Sequence, residues 1–228
     1  MKNSISRFKH SMTLAQKNEP LKSFGKILFE KINRKIRVRY DLLLSAVLKD
    51  STFREVEDLY MCSLFPINVI DKILHEFSPN SILDVGCGTG ISLKYFLHKN
   101  IDAMGVENSR LAIKNSAVSH KIIRHNLKKQ LFLNKKFDLV WSFEVIEHIH
   151  PDFEAIFLNT LVQHSDRVII SAALPGQGGH GHFNEQLPEY WVEKFSKLNF
   201  QLNVEMTECL RNINEKHANN LLVLEKRF

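Results

Sequence analysis

Ser81-Ile82-Leu83-Asp84-Val85-Gly86-Cys87-Gly88-Thr89-Gly90 is the stretch on which the fold turns. Its first half is a short apolar run of the kind a buried parallel strand makes. Its second half spaces glycines as Gly-x-Gly-x-Gly, and an amphipathic pattern opens directly beyond them. Glycine lets the backbone turn tightly and lets a ligand approach the main chain. The helix start beyond offers free amides and the positive dipole end to a carboxylate or phosphate. Asp84, just before the turn, suits an ammonium. Ile91 stands where a dinucleotide fingerprint has its third glycine, which counts against an NAD dehydrogenase. The competing reading is a tight strand-to-helix turn in a domain that binds nothing.

Outward from this turn, short apolar runs alternate with amphipathic helices. Strands are expected at 81–85, 102–106, 121–125, 137–142 and 167–173, with helices near 90–99, 109–119 and 152–163. That alternation implies an α/β fold, a doubly wound, mostly parallel sheet of seven strands covered by helices on both faces. Toward the end the rhythm changes. A helix starting at Pro188 places Trp191, Phe195 and Leu198 on one side, and strands at 200–208 and 221–226 follow. With no helix expected between them, the final strand should pair antiparallel.

Upstream, helical spacing covers 21–48, Thr52 and Glu55 fit a capping box, and a helix at 68–77 stops before Pro79. The chain thus divides into a flexible basic arm (1–20), an N-terminal helical extension (21–78) and the α/β domain (79–228). The net charge of +6 is uneven: residues 1–40 hold 11 Lys/Arg against Glu19 and Glu30, a net of +9, which leaves −3 for the rest. Such an arm suits an anionic membrane surface or is simply a solvated helix face. Lacking interleaved aromatics and any recognition motif, it gives no reason to expect nucleic acid. No apolar run approaches the roughly 20 residues of a membrane span, and no secretory leader is visible. Cys62, Cys87 and Cys209 have neither zinc nor redox spacing. A cytoplasmic protein, peripheral to a membrane at most, is expected.

Three further segments carry chemistry. Glu107 ends the second strand, where its carboxylate can accept hydrogen bonds from both hydroxyls of a ribose. Phe143-Glu144-Val145-Ile146-Glu147-His148 follows the fourth strand, and helical spacing would put Glu144, Glu147 and His148 on one face. That cluster suits a hard divalent cation such as Mg²⁺, or a general base at His148; helix-start carboxylates beside a packed histidine are the bland alternative. Leu174-Pro175-Gly176-Gln177-Gly178-Gly179-His180-Gly181-His182-Phe183-Asn184-Glu185-Gln186 follows the fifth strand. It reads as an acceptor-binding loop with His182 or His180 as base or ligand, or else as a flexible loop in solvent.

Together the glycine turn, Glu107 and the Glu-Val-Ile-Glu-His stretch resemble the class I S-adenosylmethionine (SAM) dependent methyltransferases. By that resemblance Asp84, Gly86, Gly88 and Gly90 would hold the methionine part of SAM, and Glu107 its ribose. The contacts around the adenine and the donor would fall on Asn126, Leu127 and Ser142. Asn126 departs from the acid usual there, though its carbonyl can still accept from an amine. The Glu144-Glu147-His148 stretch is similar to that of the ubiquinone-biosynthesis O-methyltransferases, whose matching residues are associated with a divalent metal. The segment from Pro175 to Gln186, with Pro188-Glu189-Tyr190-Trp191, resembles a group of methyltransferases of which several members are linked to surface glycan synthesis. The resemblance implies O-methylation of a small molecule, a sugar or a lipid-linked hydroxyl. The alternatives are a quinone-like phenol methylated at a membrane surface, and a catalytically silent nucleoside-binding module used in protein assembly.

Overall fold

A computed structural model describes residues 66–179, 181–213 and 218–227. The basic arm at 1–20, the helices expected at 21–48, the capping box at Thr52, and His180 lie outside the described residues. The described part begins with α1 (Ile67–Phe77), which buries Val69, Ile70 and Ile73. Ser78, left-handed at φ 42°, closes it by donating its amide to Leu74.

The sheet contains β1 (Ser81–Val85), β2 (Asp102–Glu107), β3 (Ile122–Arg124), β4 (Leu139–Ser142), β5 (Arg167–Ser171), β6 (Phe200–Leu202) and β7 (Leu221–Lys226). Their spatial order is β3-β2-β1-β4-β5-β7-β6, and β7 alone runs antiparallel to both its neighbours. The helices between them are α2 (Ile91–His98), α3 (Arg110–Lys114), α4 (Glu154–His164), α5 (Pro188–Ser196) and α6 (Val204–Arg211). The doubly wound, mostly parallel sheet with an antiparallel final strand is therefore present.

Strand periodicity sorts the core into two layers. Ile82, Trp141, Ile169 and Val223 face α1, α2 and α6, packing with Ile70, Phe96 and Leu210. Leu83, Val140, Val168 and Leu224 face the other way, against Phe157 and Leu161 of α4 and Trp191 and Phe195 of α5. Both faces of the central strands are thus apolar, and the chain's polar chemistry is left to the strand ends. Chain order reverses between β1 and β4, so the crevice outside their carboxyl ends is where an open α/β sheet takes its ligand.

Two expectations need correction. Residues 204–208 are helical, not strand. Phe200, Leu202, Val204 and Met206 alternate like a strand, but the Asn203 side chain accepts from the Met206 amide at 3.0 Å and caps a helix. Helical spacing then buries Thr207 and Leu210 and leaves Val204 exposed. The helix expected at 109–119 stops at Lys114. The Asn115 side chain donates to the Leu111 carbonyl and Ser116 Oγ accepts from the Val118 amide, so side chains take over the backbone groups that would have continued it.

Glu154 pins the segment after β5. Its carboxylate, nearly inaccessible to solvent, accepts from Asn184 Nδ2 (3.0 Å) and Tyr190 Oη (2.8 Å) and pairs with Lys194 at 2.7 Å. Glu154→Ala leaves the buried Asn184 amide without an acceptor, while Lys194 can turn to water. The expected cost is about 2–3 kcal/mol in urea unfolding. Glu76→Ala, which breaks the exposed Lys72–Glu76 pair, should shift the same unfolding midpoint distinctly less.

Candidate cofactor and acceptor site

The glycine turn joins β1 to α2 with Gly86, Gly88 and Gly90 all at positive φ, from 55° to 77°. A methyl group on Gly86 would meet Val145 Cγ2 at 2.5 Å, and one on Gly90 would meet Val118 and Ser116 at 3.0–3.1 Å. Those two glycines are explained by packing. On Gly88 a methyl group would have no protein atom within 4 Å among the described residues. Its bare face is the surface a ligand could approach. α2 starts with no capping side chain at Gly90; the Leu93 amide serves Asp84, and the amides of Ile91 and Ser92 before it are the ones offered to an anionic group.

Glu107, at the end of β2, is buried and braces this turn. One oxygen accepts from the Gly88 amide at 2.9 Å, the other from the Ser109 amide at 2.6 Å. Burial raises its pKa, against the amides of Ser109, Gly88 and Asn108. Asp84 lies beneath the turn, and its buried Oδ2 has no hydrogen-bond partner among the described residues. Burial first, then the charge of Glu107, push its pKa up to about 8. Two buried carboxylates in one recess, with one oxygen orphaned, fit a guest with an ammonium and hydroxyl donors. Cys87 is no nucleophile here, because burial and those two carboxylates push its thiol further from ionisation.

Leu127 is buried after β3, and the Asn126 side chain accepts from the Lys128 amide at 3.0 Å, which holds the residue in a turn. Ser142 is buried and donates its hydroxyl to the Val85 carbonyl at 2.9 Å, tying together the ends of β1 and β4.

The segment after β4 differs from the helical turn expected of it. Glu144 is left-handed at φ 54°, its amide donating to Ser171 Oγ, and only Ile146–His148 form a single 3₁₀ turn. Glu144, Glu147 and His148 therefore do not share one helix face. Glu144 accepts instead from Gln177 Nε2 at 3.2 Å. The loop after β5 supplies the partner that spacing could not: Glu147, His148 and His182 bring ligand atoms within 4.8 Å of one another. The two imidazoles stand edge to face, their centroids 4.8 Å apart.

Neither oxygen of Glu147, which is fully buried, has a well-formed hydrogen bond among the described residues. Burial and then the charge of Glu144 hold its pKa well above the ordinary range; nearby amides, its own and that of Ala173, offset this only in part. A buried carboxylate beside two imidazoles can share a proton with them or bind a cation. The loop is itself ordered by side chains. Gln177 accepts from the Leu174 amide and Asn220, and Glu147's carbonyl accepts from the Phe183 and Asn184 amides. Glu185, Gln177 and Glu154 were not among the residues singled out from the sequence; Glu185, three residues after His182 in a glycine-rich loop, was the one with a local signal. A cleft of about 280 Å³ beside Asp138, Arg167 and Glu225 lies at the opposite, amino edge of the sheet.

Comparison with known proteins agrees with this geometry. Residues 62–213 match the family model described as a methyltransferase domain. Tocopherol O-methyltransferase of Arabidopsis thaliana is 30% identical over 134 residues, covering 54% of this chain and 38% of that protein. The chain thus spans well under half of that curated relative. Among solved structures, a TehB-like SAM-dependent methyltransferase from Corynebacterium glutamicum superposes with a TM-score of 0.55 at 16% identity, covering 75% of this chain and 94% of that one. Magnesium protoporphyrin IX methyltransferase from Synechocystis, solved with bound SAM, gives 0.53 at 13% identity over 70% and 79%. At those identities the likeness is one of fold. The family match covers most of the chain, and the chain therefore belongs to the methyltransferase domain family, within the class I SAM-dependent methyltransferases.

Proposed function

We propose that the protein transfers the methyl group of SAM to a hydroxyl of a small molecule. The observation that carries the SAM half is the bare face of Gly88, braced by Glu107 and set above the orphaned oxygen of Asp84. SAM supplies a methyl group already activated on a sulfonium, so the protein's work is to bind, orient and deprotonate. Glu107 and Asp84 take the ribose hydroxyls and the ammonium, with Asn126, Leu127 and Ser142 framing the rest of the recess. The Ile91 and Ser92 amides of α2 take the carboxylate.

Acceptor chemistry falls to Glu147, His148 and His182. A hydroxyl held there gives its proton to an imidazole as its oxygen forms the new bond to the methyl carbon. The carbon–sulfur bond breaks with its electron pair on sulfur, releasing S-adenosylhomocysteine. Orientation of this kind contributes on the order of 7–11 kcal/mol, and a positioned base about 10²–10⁴-fold. Two imidazoles and one carboxylate would suit a borderline divalent cation such as Zn²⁺ better than Mg²⁺, which prefers oxygen ligands; a bound cation would lower the acceptor's pKa. An oxygen acceptor is supported by the tocopherol O-methyltransferase match, as far as that match extends. Phenols, sugars and lipid-linked hydroxyls are the acceptor classes to screen first, and anionic vesicles test residues 1–40 as a membrane-directed arm.

Calorimetric titration with SAM decides the first half. Wild-type protein should bind, while Gly88→Ala should lose affinity yet unfold within about 1–2 kcal/mol of wild type, the cost of a left-handed alanine. Gly86→Ala, driven into Val145, should lose about 1–3 kcal/mol of stability. A folded wild type that binds no SAM would sink the proposal and favour a silent assembly module.

Asp84 makes a pH-dependent expectation. Its carboxyl ionises near 3.9 when unfolded but only at about 8 when folded. Its contribution to stability is therefore full below about pH 4 and lost as pH rises through 8. Asp84→Asn should raise the melting midpoint of the ligand-free protein at pH 9 and lower SAM affinity; an unchanged midpoint would argue against a buried, proton-retaining carboxyl. On the acceptor side, His182→Ala should lower kcat about 10²–10⁴-fold with SAM affinity intact. Full activity in the presence of a chelator would remove the cation.

A further inference from the structure

Glu185 lies outside the residues that touch either substrate in this reading, yet more of the acceptor loop converges on it than on any of those residues. Its Oε2 accepts from the Gly176 amide at 2.9 Å and its Oε1 from the Gly178 amide at 2.8 Å. Both glycines are left-handed, at φ 84° and 67°, which turns their amides inward onto the carboxylate. The same Oε1 lies 2.8 Å from His182 Nδ1. An ionised carboxylate only accepts, so the proton in that contact belongs to Nδ1 and the lone pair of the neutral ring to Nε2.

The rest of the loop is built around that orientation. His182 Nε2 lies so close to Gly179 that a methyl group there would stand 2.3 Å from it, so glycine is what lets the ring lie against the backbone. With Nδ1 engaged by Glu185, Nε2 is the nitrogen left to act in the cluster with Glu147 and His148. His148 is set the same way, because its Nδ1 lies 3.1 Å from the Gly181 carbonyl, which also only accepts. One loop thus fixes the tautomer of both rings, one through a carboxylate and one through a carbonyl.

We propose that Glu185 is a positioning residue that locks His182 as the Nδ1–H tautomer, leaving its Nε2 lone pair to serve in the cluster with Glu147 and His148 where the acceptor hydroxyl is met. The proposal rests on the acceptor reading for what Nε2 does there. The tautomer itself is a property of the ligand-free chain and is measurable without any acceptor.

The test is long-range ¹H–¹⁵N correlation of the histidine rings in the full-length, ¹⁵N-labelled protein above neutral pH, with His182 and His148 assigned from His182→Gln and His148→Gln spectra. Wild type should show both rings as Nδ1–H. Glu185→Gln can still turn its one amide oxygen to the Oε1 place and hold the proton at Nδ1, whereas Glu185→Ala removes the acceptor altogether. In Glu185→Ala, His182 should therefore move toward the Nε2–H form that free histidine prefers, with His148 unchanged and SAM affinity within twofold of wild type. Gly179→Ala should displace the His182 ring with Glu185 in place, shifting its ring signals while leaving those of His148. A wild-type His182 found as Nε2–H, or a tautomer unmoved by Glu185→Ala, would overturn the assignment. A tautomer that flips without slowing methyl transfer would uphold Glu185's role and instead remove His182 as the acceptor's base.

Discussion

Glu107 is the brace on which the glycine turn depends. The turn has to leave β1, reverse past the end of β2 and deliver α2, using residues chosen for having no side chain to hold it in place. The carboxylate supplies what those residues lack. It reaches from β2 to the Gly88 amide and, at its other oxygen, to the Ser109 amide that starts α3. Two consecutive β-to-α connections are thereby fixed to one buried group. The arrangement costs desolvation, as the raised pKa values of Glu107 and Asp84 reflect. A surface carboxylate would avoid that cost, but water would then compete for the same amides.

A similar principle recurs across the crevice. The loop after β5 contains few apolar residues able to order it by burial, and Phe183 and Leu187 remain exposed. Carboxylates and carbonyls perform that task. Glu185 gathers Gly176, Gly178 and His182, Glu154 holds Asn184 and Tyr190, and the Glu147 carbonyl receives two loop amides. Glycine is useful here because its amides can be aimed at a carboxylate from either side of φ, something a β-branched residue could not do.

How far this was legible beforehand depends on whether a feature is local. The glycine turn, the strand at 81–85 and the Pro188 helix follow from spacing and turn chemistry within a few residues, and the structure places them as expected; the antiparallel final strand is present too, although a helix stands before it where none was expected. Residues 204–208 misled because Val204 and Met206 continue a period of 2, whereas the deciding signal was one capping side chain at Asn203. Glu144 misled because helical spacing presumes helical φ, and the bond from its amide to Ser171, 27 residues away, sets a left-handed one. Glu154 meets Asn184 across 30 residues, and His148 meets Gly181 across 33. Such pairings exist only once the sheet has brought β4 and β5 side by side.

The two rims of the sheet respond differently to their solvent. At the amino rim, Lys136 and Lys226 share Asp166, Lys135 meets Asp102, and Arg167 pairs with Glu225, all at least a quarter exposed. The carboxyl groups Asp84, Glu107 and Glu147 of the carboxyl rim are buried. Mobile ions screen exposed charges over about 10 Å at 0.1 M salt but do not enter a desolvated recess. Ionic strength is therefore a dial on the rim where the charges are exposed, and largely mute at the rim that carries the glycine turn. The molecule can be loosened or tightened by its ionic surroundings without rewriting the electrostatics of its crevice.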